Sequence, residues 1–185
     1  MMPNLHRDIR ILIAEDDDAI VDEYVRTFQA PDPGTCRGAL DDLEDDLFGD
    51  ETEGDQPVPD NAAFTVVTCA QGEKAIALHA ESLAAEHPFD LALIDVRMPP
   101  GIDGVETAVR IRDRDPGLLI GIVTGQADLD FADIAAMVLP AERLFFVRKP
   151  FIRHEIRATI LDEIARTRND PQCETTVQHS HTLAS

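Results

Sequence analysis

The sequence predicts an α/β fold, an open sheet of parallel strands with helices on both faces. Two observations carry this. Short apolar runs alternate with stretches of helical periodicity along the 185 residues. The runs are also apolar throughout, not at every second position, as expected of strands covered on both faces. Such units pack as a parallel sheet joined by right-handed crossovers. There is no internal repeat.

Each element has a local reason. Ile9 to Ala14 is rich in β-branched residues and reads as the first strand. Asp17 or Asp18 is placed to cap a helix in which Ile20, Tyr24 and Phe28 recur at helical spacing, and Pro31 and Pro33 end it. Phe64 to Thr68 is the second strand, followed by a helix over Gly72–Glu86. Phe89 to Ile94 is a strand that ends on Asp95, and a helix over Val105–Arg114 stops at Pro116-Gly117. Leu118 to Val123 ends on Thr124, with a helix over Leu129–Val138 after it. Leu144 to Val147 ends near Lys149, and the last helix covers Ile152–Arg166.

Composition narrows the function. The formal net charge of −20 argues against direct contact with nucleic acid, which rests on Lys and Arg neutralising phosphates. No apolar run reaches the ~18 residues of a membrane span, and the first residues lack a secretory pattern. Cys36, Cys69 and Cys173 are widely spaced, so reduced thiols and a cytoplasmic location are expected. Cys69 reads as a small core-edge residue. His79 and His87 read as helix-surface residues, because a phosphodonor histidine calls for a helical bundle. Residues 31–60 hold eleven carboxylates against Arg37 alone, half of the net charge.

Ligands of an open α/β sheet bind beyond the carboxyl ends of the strands. Four of the five strands deliver polar groups there: Glu15, Asp16 and Asp17 after the first, Asp95 after the third, Thr124 after the fourth and Lys149 after the fifth. Crowded carboxylates repel one another, and a hard cation such as Mg²⁺ relieves that repulsion. An aspartate can attack phosphorus to give an acyl phosphate. An ammonium, a hydroxyl and backbone N–H groups would neutralise the phosphoryl oxygens.

These motifs resemble the response-regulator receiver family. They are Ile-Leu-Ile-Ala-Glu15-Asp16-Asp17, Leu-Ile-Asp95-Val-Arg-Met98-Pro99 with Asp103-Gly104, Ile-Val-Thr124-Gly125, and Phe146-Val-Arg-Lys149-Pro150-Phe151. Any one is weak, but four in this order at strand ends are specific. The resemblance implies a flavodoxin-like doubly wound sheet of five strands in the order 2-1-3-4-5. It makes Asp95 the phosphoacceptor, and Asp16, Glu15 and the backbone carbonyl of Arg97 its companions around Mg²⁺ (or Mn²⁺). It gives Lys149 and Thr124 to the phosphoryl oxygens, Thr124 and Phe146 to switching, and a cis bond to Lys149-Pro150. The donor would be a sensor histidine kinase or a phosphotransfer protein. The domain would signal, not turn over substrate, catalysing only its own phosphotransfer and dephosphorylation.

The receiver unit is expected over residues 8–167, with residues 31–61 as an acidic insertion and residues 168–185 as a polar tail or linker. Asp17 reads as a helix cap and not a third ligand, and Asp103 with Gly104 as a turn and cap. Pro100, Gly101 and Ile102 make the loop after Met98-Pro99 one residue longer than the common family spacing. Within the insertion, Leu40, Leu43 and Leu47 recur at helical spacing and Gly49 would end such a helix. Too short to stand alone, it would dock on the domain or a dimer mate, at the sheet end remote from Asp95. An aspartyl phosphohydrolase is disfavoured because Arg97 stands where a second acid/base carboxylate would be. A nucleotide-binding domain is disfavoured because there is no GxxxxGK or GxGxxG loop. A receiver-like interaction module that takes no phosphate remains the alternative.

Overall fold

The structure, a computed structural model, describes residues 8–29, 63–125 and 130–168. The leucine-faced helix expected in the acidic insertion, the stops at Pro31 and Pro33, and the polar tail from residue 169 lie outside the described residues. The elements are β1 (Ile9–Ala14), α1 (Asp18–Gln29), β2 (Phe64–Cys69), α2 (Gly72–Ala84), β3 (Leu91–Asp95), α3 (Gly104–Arg112), β4 (Leu119–Thr124), α4 (Phe131–Met137), β5 (Leu144–Arg148) and α5 (Arg153–Arg168). A 3-10 turn over Ala141–Arg143 leads into β5.

All strand pairings are parallel, and the order is β2-β1-β3-β4-β5. β3 and β4 are buried at every position, whereas the edge strand β2 is not, which matches the continuous apolar runs of the central strands. Alternate side chains feed two cores. Ile11, Ile13, Leu91, Leu93, Leu119 and Val123 face α1 and α5, where they meet Tyr24, Phe28, Ile156 and Ile160. Leu12, Ala92, Ile94, Ile120 and Ile122 face the other way, against Ala75, Ala108, Ile111 and Ile134 of α2, α3 and α4. Gly121 sits on the first of these faces. A Cβ there would stand 2.6 Å from the Phe145 ring and 2.7 Å from Leu93, so glycine leaves room for the aromatic ring.

Caps set the helix starts. Asp17 Oδ1 accepts from Ala19 N at 2.8 Å and starts α1, as a cap should. Asp103 accepts from Glu106 N ahead of α3, and Asp130 from Ala132 N and Asp133 N ahead of α4. α2 stops at Ala84, two residues before the expected end. Glu86 adopts φ 57°, while its N–H bonds to Leu83 O and that of His87 to Ser82 O. This is a Schellman turn with a non-glycine residue in the left-handed position.

One histidine departs from expectation. His79 is not on the helix surface but fully buried. Its Nε2 lies 3.2 Å from Asp115 Oδ2 in the turn before β4. The reason is packing: α2 lies against α3, and His79 shares the buried stripe of Gly72, Ala75 and Ser82. His87 is exposed, past the end of α2.

Candidate functional site

The registers level the carboxyl ends of the central strands. Ala14 lies opposite Ile94, Asp95 opposite Val123, and Thr124 opposite Arg148. The residues that follow β1 and β5 therefore arrive beside the end of β3. Lys149 Nζ stands 2.6 Å from Glu15 Oε2 and 2.7 Å from Asp95 Oδ1. The other Asp95 oxygen, Oδ2, accepts the backbone N–H of Arg97 at 2.8 Å. Oxygens of Glu15, Asp16 and Asp95 all lie within 4.8 Å of one another. Residues 134 apart in sequence thus meet in one ion pair, Lys149 with Glu15.

The electrostatics are unbalanced. Glu15 and Asp95 are buried, and Asp16 is exposed beside them. Burial lifts the Glu15 carboxyl above its ordinary value. The hydrogen bond and charge of Lys149 oppose that rise without cancelling it, and the Asp95 charge adds to it. For Lys149, burial acts to lower the ammonium, but its bonds to Asp95 and Glu15 outweigh this and hold it above its ordinary value. One ammonium shared between two buried carboxylates, with a third nearby, leaves excess negative charge. An all-carboxylate donor set with that excess fits a hard divalent cation.

Of the remaining expected residues, Thr124 falls on the same edge and Phe146 lies two residues before the end of β5. Thr124 is buried at the end of β4, where its carbonyl accepts from Lys149 N at 2.8 Å. Phe146 is half-buried and packs on Phe131 of α4, with ring centroids 4.4 Å apart. The Arg148 guanidinium stands 5.2 Å from the centroid of that same Phe131 ring. The Lys149-Pro150 bond is cis, as are Pro99-Pro100 and Leu139-Pro140. Cys69 is half-buried, and burial pushes its thiol up to about 11, which suits an inert residue.

Two features of the site lie beyond the strand-end motifs. The first is the closeness of Gly104. A Cβ at this position would stand 2.0 Å from the carbonyl oxygen of Asp95 and 2.9 Å from Val96 Cα. Only glycine lets the start of α3 pack on the backbone of the central aspartate, and the Asp-Gly pair after Met98-Pro99 was the signal for it. The second lies at the end of β2, the one strand to which no polar group was assigned. Gln71 and Glu73 reach from there into the loop after Asp95.

Comparison with known proteins agrees with this geometry. The sequence profile of the response regulator receiver domain matches residues 58–161, more than half of the chain. The chain belongs to that family. The matched span contains Asp95, Thr124 and Lys149 but starts after Glu15 and Asp16. The pairing of β1 with both β2 and β3 brings that acidic pair to the site. No curated protein matches in a sequence comparison. Among solved structures, the CheY-like receiver domain protein of Methanospirillum hungatei is 20% identical with a TM-score of 0.56, over 88% of this chain and 98% of its own. An adenylate cyclase of Rhodopirellula baltica is 25% identical with a TM-score of 0.57, over 87% and 90%. The CheX–CheY–BeF3–Mg complex of Borrelia burgdorferi gives 14% identity and a TM-score of 0.56, over 83% of this chain and 87% of that chain. At such identities the structures speak for the fold of this receiver. No helix among its described residues is long and apolar enough to cross a membrane.

Proposed function

We propose that this receiver accepts a phosphoryl group on Asp95 from a histidine kinase or a phosphotransfer protein, in a step that needs Mg²⁺. The observation that carries the reading is the bridging of Glu15 and Asp95 by one lysine ammonium beside Asp16. Glu15, Asp16, Asp95 and the Arg97 carbonyl would hold the ion. It would supply charge neutralisation for the transferring phosphoryl oxygens. The borrelial relative, held with BeF3, Mg and a partner protein, is consistent with such chemistry on this fold.

The chain's own groups do the rest. A carboxylate oxygen of Asp95 forms the new bond to phosphorus as the donor's P–N bond breaks, and the departing imidazole nitrogen takes a proton. The Arg97 N–H fixes the Asp95 carboxylate through Oδ2. Lys149 moves its donors from the free carboxylate to the phosphoryl oxygens. Thr124 hydrogen-bonds another phosphoryl oxygen, and Phe146 shifts inward behind it, altering the surface formed by α4, β5 and α5. The signalling unit runs over residues 8–167, with residues 31–61 as an insertion and residues 168–185 as a tail. It acts in the cytoplasm without binding nucleic acid, and a second copy of the chain is a candidate partner.

Acetyl phosphate tests this. Wild type takes up a hydroxylamine-labile phosphate only with Mg²⁺ or Mn²⁺ present, and Asp95→Asn takes up none. Equal labelling of Asp95→Asn refutes the assignment, and a wild type that never labels returns the chain to a phosphate-independent interaction module.

A further inference from the structure

Gln71 occupies the N-cap position of α2 but does not cap it. Its backbone is extended and its side chain makes no bond to the helix's first N–H groups. Caps are short side chains such as Ser or Asp, which reach back to those groups. The longer amide of Gln71 instead reaches across to the loop after β3. Nε2 donates to the Pro99 carbonyl at 3.0 Å, and Oε1 accepts from Gly101 N at 3.0 Å. Glu73, two residues on, accepts from Ile102 N at 3.2 Å. Pro99 and Pro100 have no N–H to offer. The first turn of α2 therefore satisfies both N–H groups that the Pro99–Ile102 segment possesses. The glycine is part of the arrangement: a Cβ on Gly101 would come within 2.6 Å of Gln71 Oε1 and 2.5 Å of Glu73 Oε2.

This is the segment lengthened by one residue relative to the common family spacing. It begins two residues after Arg97, whose N–H orders Asp95 and whose carbonyl is assigned to the metal. Arg97 is exposed between buried Val96 and Met98. The core anchors its neighbours, and half-buried Ile102 packs beside Gly72, but exposed Pro99, Pro100 and Gly101 between them are held by the polar contacts to Gln71. A longer loop costs more to order, and the Gln71 amide supplies one donor and one acceptor to do it.

We propose that Gln71 is a positioning residue for the phosphoacceptor site: its amide clamps the Pro99–Gly101 segment to α2 and thereby sets the Arg97 backbone that borders Asp95. The role rests on the reading given under Proposed function. Groups that orient a metal's ligands without touching the metal affect affinity about tenfold or more when removed. β2 thus contributes to the site after all, through a residue that supports the loop and touches neither ion nor phosphate.

The test uses Mn²⁺ binding to the full chain, read by electron paramagnetic resonance of the free ion, with Asp16→Asn setting the background from other carboxylates. Amide hydrogen exchange at Gly101 and Ile102 reads the clamp itself, and urea unfolding reads global stability. In Gln71→Ala we expect Mn²⁺ affinity about tenfold weaker, faster exchange at Gly101, and an unfolding midpoint close to wild type. Gln71→Glu keeps the acceptor for Gly101 but loses the donor to Pro99, and falls between. Gly101→Ala, which displaces both side chains without altering either, reproduces the loss. If wild type binds Mn²⁺ and Gln71→Ala matches it, the positioning role is refuted while the phosphoacceptor reading stands. If wild type binds no Mn²⁺ above the Asp16→Asn background, both fall together. Unchanged exchange at Gly101 in Gln71→Ala refutes the clamp.

Discussion

The two ends of the sheet bury charge in opposite ways. At the carboxyl end, Lys149 is shared between Glu15 and Asp95, and the three carboxylates outnumber the ammonium. At the amino end, Arg112 is buried at the close of α3 and turns its two terminal nitrogens to carbonyls: Nη1 to Pro116 and Leu118, Nη2 to Arg143. Burial draws this guanidinium down to about 10, with Asp115 opposing. One end keeps unbalanced charge that a cation and a phosphoryl group can use. The other sets Asp115 against His79 and Arg112, leaves no crowd of carboxylates, and ties the α3–β4 turn to the start of β5. The first arrangement serves chemistry and the second holds the frame.

The largest expected effect comes from breaking the frame. Arg112→Met keeps an apolar stem but strips three carbonyls of their donor, those of buried Leu118, half-buried Arg143 and exposed Pro116. At about 1 kcal/mol for each lost bond, the variant should lose about 3 kcal/mol in urea unfolding. The part that remains folded should still take label from acetyl phosphate, because no site residue has moved. Full stability in Arg112→Met would show that water replaces the guanidinium, and that the contrast between the ends is one of degree.

Gly104→Ala tests the boundary between the two roles. The added methyl collides with the backbone of Asp95 itself, at 2.0 Å from its carbonyl oxygen. Relief requires α3 to move away from β3. Overpacking of this kind costs about 2 kcal/mol. Labelling should slow by at least about tenfold, since small displacements of reacting groups are expensive. It is the one position where a frame defect and a site defect should appear together. Loss of stability with labelling at the wild-type rate would mean that the strand end holds Asp95 without help from α3.

The parts that were legible in the sequence follow from this division. Strands announced themselves by unbroken apolar runs, and the site by polar residues standing at their ends, because both signals are local. Glu15, Asp16, Asp95, Thr124 and Lys149 were readable from position in an alternating pattern, although no sequence spacing relates Lys149 to Glu15. The Asp17 and Asp103 caps were readable for the same reason. What stayed hidden depends on contacts across the fold. His79 looks like any polar residue on a helix until α3 covers it and Asp115 meets its Nε2. Arg112 gives no hint that its partners will be carbonyls from two other turns. Gln71 resembles a helix-start residue, and only the position of the lengthened loop shows where its amide goes.

The smallest expected effect is also the most direct comparison of the two ends, because acid acts on them in opposite senses. Burial alone would raise Asp115, but the hydrogen bond and charge of His79, with the N–H groups of Gly117 and Leu118, hold it below the ordinary carboxylate value. Its folded form binds protons less readily than its unfolded form. Stability from Asp115 is therefore complete above the unfolded value and is lost as pH falls through the folded one. Glu15 is raised, mainly by burial. Its folded form takes up a proton first, so its contribution is complete below the unfolded value and is lost as pH rises through the folded one. In metal-free buffer, Asp115→Asn should flatten the loss of stability between neutral and acid pH, whereas Glu15→Gln should steepen it. Chemical unfolding at a series of pH values measures both slopes. Slopes that change in the same direction would mean that the Lys149 bond governs Glu15 more than its burial does, and the two ends would then differ in geometry but not in how they hold charge.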